Sequence, residues 1–327
     1  MVEKLMGTRE SPKLLQYLFQ YLYYNGHMRL YRLALITLLL QPLAVWAIDL
    51  QPNDIVAPLP GKSHVMVSYV NSESGTYYTN GSQSSRAFLK SPDISTQTAI
   101  MRLSTSYSLS DLPAISYIQL PYGSIKPSGS LTLFPGNTAA DTGIGDLTFA
   151  TAIWPYSNRE TRKYFGVAGY FTAPTGSYNS QRMANMGENR YKSDIQMGYQ
   201  QPIIGSLDGM IAVDTMWFGG NSSCSTSCFR TTSTTLNQKP LTTTQLGPIY
   251  KINQTYTLGA SYFYVAGGAT TIGSDYQNNV VNTQRFLLSG LAYYPFGRIS
   301  LQYGRDMEIK NGFVETRRLA VRFTTEF

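Results

Sequence analysis

Leu319-Ala-Val-Arg-Phe-Thr-Thr-Glu-Phe327 closes the chain, and its side chains alternate. In an extended strand successive side chains point to opposite faces. Leu319, Val321, Phe323, Thr325 and Phe327 therefore share one face, against Arg318, Arg322, Thr324 and Glu326 on the other. The pattern recurs upstream. Between Thr98 and Leu109, Ala99, Met101, Leu103, Thr105, Tyr107 and Leu109 oppose Thr98, Arg102, Ser104, Ser106 and Ser108. Leu147, Phe149, Thr151 and Ile153 oppose Asp146, Thr148, Ala150 and Ala152, while Ile211, Val213, Thr215 and Trp217 oppose Asp208, Asp214 and Met216. Strands of soluble sheets average about five or six residues. Alternation sustained over about nine to eleven is what a tilted strand needs to cross the apolar band of a bilayer, with one face to lipid and one to water.

These segments predict an all-β chain, a transmembrane antiparallel up-and-down β-barrel of about twelve strands. The strands fall near 63 to 72, 96 to 110, 113 to 126, 144 to 156, 162 to 174, 190 to 202, 206 to 218, 240 to 251, 254 to 267, 280 to 295, 298 to 310 and 313 to 327. Short connections (Asp111 and Leu112, Ser157 to Thr161, Ile203 to Gly205, Phe296 and Gly297) alternate with long ones, as periplasmic turns alternate with extracellular loops in bacterial barrels. Asn311-Gly312 breaks the rhythm and reads as a type I′ hairpin turn. An even strand count places both ends in the periplasm. Phe323 and Phe327 then make up a C-terminal signal similar to the one that the outer-membrane barrel assembly machinery reads. The expected surroundings are outer-membrane lipids, and the expected state is a monomer.

Composition agrees with this reading. Of 327 residues, 43% are apolar, 14% charged and 25 are Tyr, which favours pleated strands over helices. The formal charge of +7 is spread along the chain without a basic run, so no nucleic-acid partner is expected. Cys224 and Cys228 lie four apart in a Ser/Thr-rich stretch, with no nearby histidine and no second thiol pair to complete a metal site. A local disulfide is expected, the alternative being two free thiols.

The N-terminal region carries the marks of export. From Met28, Arg29 and Arg32 precede an apolar core from Leu33 to Leu40, then Pro42, then Val45 and Ala47 at the small-residue cleavage positions. Residues 28–47 read as a signal peptide whose cleavage leaves Ile48 first. The core is too short for a membrane anchor, which needs about 20 residues. Residues 1–27 have no place in such a signal and read as a spurious or extended leader, so translation starts at Met1 or at Met28. Residues 48–62 form a Pro-rich periplasmic segment that cannot join a central ladder. It is expected to fold into or across the periplasmic mouth as a plug, ahead of a barrel over 63–327.

By alternation, Arg102, Lys192, Asp194, Gln196, Asp214, Gln245, Gln302, Asp306, Glu308, Arg318 and Arg322 point into the lumen. Such charges either line an aqueous path or pair with one another and fill it. Arg305 falls on the lipid face, which calls for a bulge or a position near the interface. Only one histidine, His64, follows the cleavage site, and no Ser or carboxylate constellation can be tied to it. No Gly-rich phosphate loop or nucleotide fingerprint occurs, so neither catalytic residues nor a cofactor are expected.

Four stretches, IDLQPNDIVAPLPGKS (48–63), GIGDLTFATAIWPY (143–156), YFTAPTGSY (170–178) and GENRYKSDIQMGY (187–199), resemble the outer-membrane family named for the meta-pathway of phenol degradation. Asp49, Leu50, Pro52, Asp54, Pro60 and Gly61 match its leader, and Gly143, Gly145, Asp146 and Leu147 match its Gly-x-Gly-Asp-Leu strand start. The chain departs from the family pattern at Asn53 and at Pro58-Leu59-Pro60-Gly61. The resemblance implies a barrel that passes small hydrophobic or aromatic compounds. The alternative is a non-conducting structural or adhesive barrel that works through its external loops.

Overall fold

The computed structural model describes residues 49–134, 138–228, 230 and 232–327. The expected signal peptide and the residues before it lie outside the described residues. Twelve long strands make up the wall: β1 (Ser63–Thr79), β2 (Pro92–Leu109), β3 (Leu112–Gly129), β4 (Leu147–Asn158), β5 (Lys163–Ala173), β6 (Lys192–Ile204), β7 (Leu207–Phe218), β8 (Leu241–Lys251), β9 (Tyr256–Gly267), β10 (Val281–Tyr294), β11 (Gly297–Ile309) and β12 (Gly312–Glu326). Each pairs antiparallel with its neighbours in sequence, and β1 pairs with β12 from His64↔Glu326 to Tyr78↔Gly312. The sheet is closed, so the wall has no free edge.

The faces follow the sequence alternation. Met101, Leu103, Ile118, Phe149, Ile195, Ile211, Leu319, Val321 and Phe327 are exposed on the outside, where lipid belongs. Tyr156, Tyr250, Tyr256, Tyr294, Phe296 and Phe327 are exposed toward the short-turn end, as expected of an aromatic belt at the interface. The β2–β3 turn at Ser110 and Asp111 has positive φ at both residues (48° and 67°), the geometry of a type I′ hairpin.

The structure corrects the sequence reading in several places. β1 and β2 extend beyond the expected membrane span and pair as far as Gly75↔Asp93. The strand expected from residue 144 breaks at Gly145 and Asp146: Asp141–Ile144 pairs with the upper part of β3, and β4 begins at Leu147. The Asn311-Gly312 turn is not type I′, because only Gly312 takes a positive φ (116°). Asn311 instead staples neighbouring loops, accepting a hydrogen bond from Asn80 N (2.8 Å) and donating one to Val280 O (2.9 Å). The long loops carry secondary structure of their own. Asn221–Cys224, Thr234–Gln238, Thr270–Ile272 and Asp275–Tyr276 form a second, four-stranded sheet. Cys224 and Cys228 are joined in a disulfide and packed with Leu89, Leu131, Met183, Leu236 and Ile272 in an apolar cluster.

Candidate functional site: a lumen threaded by the leader

From exposed Leu59, Pro60 and Gly61 at the mouth, the Pro-rich leader enters the barrel, as the plug reading expects. It starts at the short-turn end, where Ser106 Oγ donates to Leu59 O (2.6 Å), and climbs. Arg159 donates to Ala57 O (2.7 Å) and Trp154 Nε1 to Ile55 O (2.7 Å). Asn53 donates to Tyr293 Oη (2.8 Å). Higher up, Gln51 donates to Gln302 (2.9 Å) and accepts from Ser300 (2.9 Å), while Gln245 clamps both the N–H and the C=O of Leu50 (3.1 and 2.8 Å). Asp49 ends the described climb, ion-paired with Arg285 and Arg318. A segment that cannot ladder with a sheet thus has its backbone groups met by inward side chains of the wall.

Charges in the lumen are distributed in two tiers. In the lower tier Asp54 lies between Arg298 (3.2 Å) and Arg322 (3.4 Å). The Gln51 N–H donates to the same carboxylate (2.9 Å), so both of its oxygens are met. Arg102 lies 4.0 Å from the Tyr117 ring centroid and donates to Gln119 (2.7 Å). In the upper tier the carboxyls of Asp49, Asp194, Asp214, Asp306 and Glu315 share the space with Arg285 and Arg318. Asp194 and Asp214 are diagonal neighbours on β6 and β7 and are 2% and 4% exposed. Both oxygens of Asp194 and Oδ2 of Asp214 have no hydrogen-bond partner among the described residues.

Ten of the residues expected in the lumen are placed there: Arg102, Lys192, Asp194, Gln196, Asp214, Gln245, Gln302, Asp306, Arg318 and Arg322. Glu308 is not. A bulge shifts the β10–β11 register so that Arg285 faces Asp306 and Gln284 faces Glu308. That extra residue turns Glu308 to the outside, where it accepts from Gln284 (2.7 Å). The same bulge lies two residues from outward Arg305, which donates to Asp306 O (3.3 Å). Arg285, Arg298 and Glu315 escaped the sequence reading. Arg298 shares the parity of Gln302 and was legible; Arg285 is flanked on its face by Thr283 and Leu287, which gave no signal.

Cavities remain beside the leader, and two of them adjoin. The lower one, about 540 Å³, is lined by Ile55, Val56, Tyr117, Trp154, Tyr170 and His64. The upper one, about 300 Å³, runs along Ser68, Thr98, Ile100, Gln119, Thr148 and Lys192. Both are bounded by Asp49, Met66, Arg102 and Arg322, which form a waist between them. At the upper rim, Asp146 accepts from the N–H groups of Gly176 and Glu188 (both 2.9 Å), and Glu188 pairs with Arg190 (2.6 Å) and Lys192 (2.5 Å). A Cβ on Gly176 would lie 2.7 Å from Gly145 C and 2.8 Å from Gly187 Cα. The Gly-Asp-Leu strand start, the Pro-Thr-Gly loop and the Gly-Glu-Asn segment therefore meet at one point.

A closed twelve-strand wall with an apolar outside and a polar, partly filled inside defines an outer-membrane β-barrel. The chain belongs to the family described as "Putative MetA-pathway of phenol degradation", whose model matches residues 75–323. It is similar to the COG4313 outer membrane channel from Pseudomonas putida F1, at 26% identity over 85% of this chain and 100% of that one, with a TM-score of 0.78. The β domain of the Bordetella autotransporter BrkA shares the fold at 9% identity, covering 81% of this chain and 100% of that one, with a TM-score of 0.52. No functionally curated protein matches the chain.

Proposed function

We propose that the protein is a monomeric outer-membrane channel that lets small hydrophobic or aromatic solutes pass between the long-loop and short-turn ends. The observation that carries this reading is the pair of cavities meeting at the Met66–Arg102–Arg322 waist beside the leader. The lower wall combines aromatic faces (Tyr117, Trp154, Tyr170) with a few polar groups, a lining that favours solutes with an apolar body and a polar tip over bare ions. The family's name and the channel from P. putida agree with the class of cargo and with conduction. Uptake of phenol-type solutes into proteoliposomes, together with growth of a deletion strain on aromatic carbon sources, tests the reading. A barrel that passes neither ions nor phenols, in a strain that grows unaltered, refutes it.

The disulfide-bonded loop sheet supports a second reading, a non-conducting barrel whose loops bind a surface. In that case loop deletions would abolish adhesion and leave solute uptake unchanged.

A further inference from the structure

The upper tier of the lumen holds more carboxyls than cations, and its guanidiniums are engaged elsewhere. Arg285 and Arg318 are both ion-paired with Asp49, and Arg285 acts on Asp214 only through space. Both oxygens of Asp194 and Oδ2 of Asp214 have no hydrogen-bond partner among the described residues, although the two residues are 2% and 4% exposed. A third group, not a carboxyl, faces the same point. Thr243 on β8 is the cross-strand partner of Asp214 on β7, so the two side chains leave the wall on one face with Cβ atoms about 4.5–5.5 Å apart. Thr243 is 2% exposed, and its hydroxyl also lacks a partner among the described residues. On the opposite face of the same two strands, Thr215 and Thr242 bond each other (3.1 Å). Asp194 on β6 is the diagonal neighbour of Asp214, because Gln196 pairs with Asp214 and Asp194 with Met216. Diagonal neighbours lie about 7–8 Å apart, a gap that two carboxylates can span through one ion held at about 2.3–2.6 Å from their oxygens. Gln196 takes up the other oxygen of Asp214, and its own Oε1 accepts from Tyr170 (2.9 Å), which leaves Asp214 Oδ2 clear.

We infer that Asp194, Asp214 and Thr243 form a calcium site in the upper lumen, which ties β6, β7 and β8 together two residues above Gln245, the clamp on Leu50. Buried charge left unpaired is costly, so oxygens kept clear in this way are matched to a cation. The free donors are all oxygen, which suits a hard cation and not zinc or copper. Asp194 supplies two oxygens, Asp214 and Thr243 one each, and water completes the six to eight that Ca²⁺ takes in its flexible shell. Mg²⁺ would demand a near-ideal octahedron at about 2.0–2.1 Å. No group of three or more acidic, His or Cys side chains able to hold a metal occurs among the described residues, and two carboxylates with one hydroxyl make a weak site. The dissociation constant is therefore that of extracellular modules, on the order of 10⁻⁴–10⁻³ M. The inference is independent of what the channel carries.

The test uses the whole protein, purified from outer membranes in detergent and stripped of divalent ions with a chelator. Binding of radioactive calcium is followed by equilibrium dialysis near neutral pH for the wild type and for the Asp214→Asn and Thr243→Val variants. Comparison with the variants cancels ions held by co-purified lipid. The expected result is one additional Ca²⁺ per wild-type barrel, held at least about tenfold more weakly by Asp214→Asn and at least about threefold more weakly by Thr243→Val, which keeps the shape of the side chain and removes only the hydroxyl. If Asp214→Asn does not assemble, Asp194→Asn takes its place, and Thr243→Val is decisive by itself. Three results would overturn the inference: a wild type that binds no more calcium than the Asn variant, a Thr243→Val barrel that binds as tightly as the wild type, or displacement of the ion by methylammonium at equal concentration, which would assign the pair to a cationic solute. Conductance plays no part in these readouts, so their failure leaves the channel reading standing.

Discussion

The two sides of the lumen differ. Along β8 to β12 the wall meets the leader with directed bonds: Gln245 to Leu50, Ser300 and Gln302 to Gln51, Arg298 and Arg322 to Asp54, Arg285 and Arg318 to Asp49. Along β1 to β5 Ser106 and Trp154 bond the lower leader at Leu59 and Ile55, but higher up Ser68, Thr98, Gln119, Thr148 and Thr172 border open space. The filled side carries the specific chemistry, and the open side carries the passage. Above Ile55 the plug is held mainly from β8 to β12, and a plug so held narrows a barrel without sealing it.

The largest expected effect comes from removing the filled side altogether. Deleting residues 48–60 should raise single-channel conductance several-fold in planar bilayers, and unchanged conductance from a normally assembled barrel would show that the leader does not restrict the path. On the open side, Met66→Trp should fill the waist and abolish most solute uptake while leaving assembly intact. Asp54→Asn comes next: it leaves Arg298 and Arg322 facing a neutral amide. The three groups are 15–21% exposed, so the loss falls below the roughly 3–5 kcal/mol of a fully buried broken pair, at about 2 kcal/mol. Faster proteolysis of the leader reads it directly.

Acid should act on the rim in the same direction. Burial pushes the Glu188 carboxyl up, but Lys192 and Arg190 outweigh that and bring it to about 2. A depressed carboxyl contributes stability that is complete above its unfolded value of about 4.3 and disappears as pH falls through the folded value. The loop over residues 174–191 should therefore become protease-sensitive between about pH 4 and pH 2. The smallest effect belongs to Glu308→Ala. Turned outward and exposed, it should change heat-induced unfolding by less than about 0.5 kcal/mol and conductance not at all.

What could be read in advance follows the same division. The outer wall repeats one physical requirement, an apolar face at every second residue, so Met101, Phe149, Val321 and their like announce strand, face and span together. The lumen imposes no such repetition. Parity placed Gln245 and Arg322 correctly because nothing interrupts the alternation of their strands, and it failed at Glu308 because one inserted residue reverses all that follow. The leader has no periodicity at all. Its proline content said that it could not ladder, but only the wall around it shows where Asp49, Gln51 and Asp54 bind. Asp146 looked like one more inward polar residue until the break in its strand placed it under the Gly176 and Glu188 amides.

The covalent join at Ser63 has a last consequence. Because the leader is tethered to the wall it binds, its docking is intramolecular, and a short flexible tether gives an effective concentration on the order of millimolar. Contacts that would hold a free peptide with a Kd of about 1 mM, some 4 kcal/mol, therefore suffice to keep the lumen occupied about half the time. Each further 1.4 kcal/mol from the bonds to Asp49, Gln51 or Asp54 makes vacancy about tenfold rarer. Occupancy of the barrel by its own first residues is thus set by a handful of side chains and can be tuned one bond at a time.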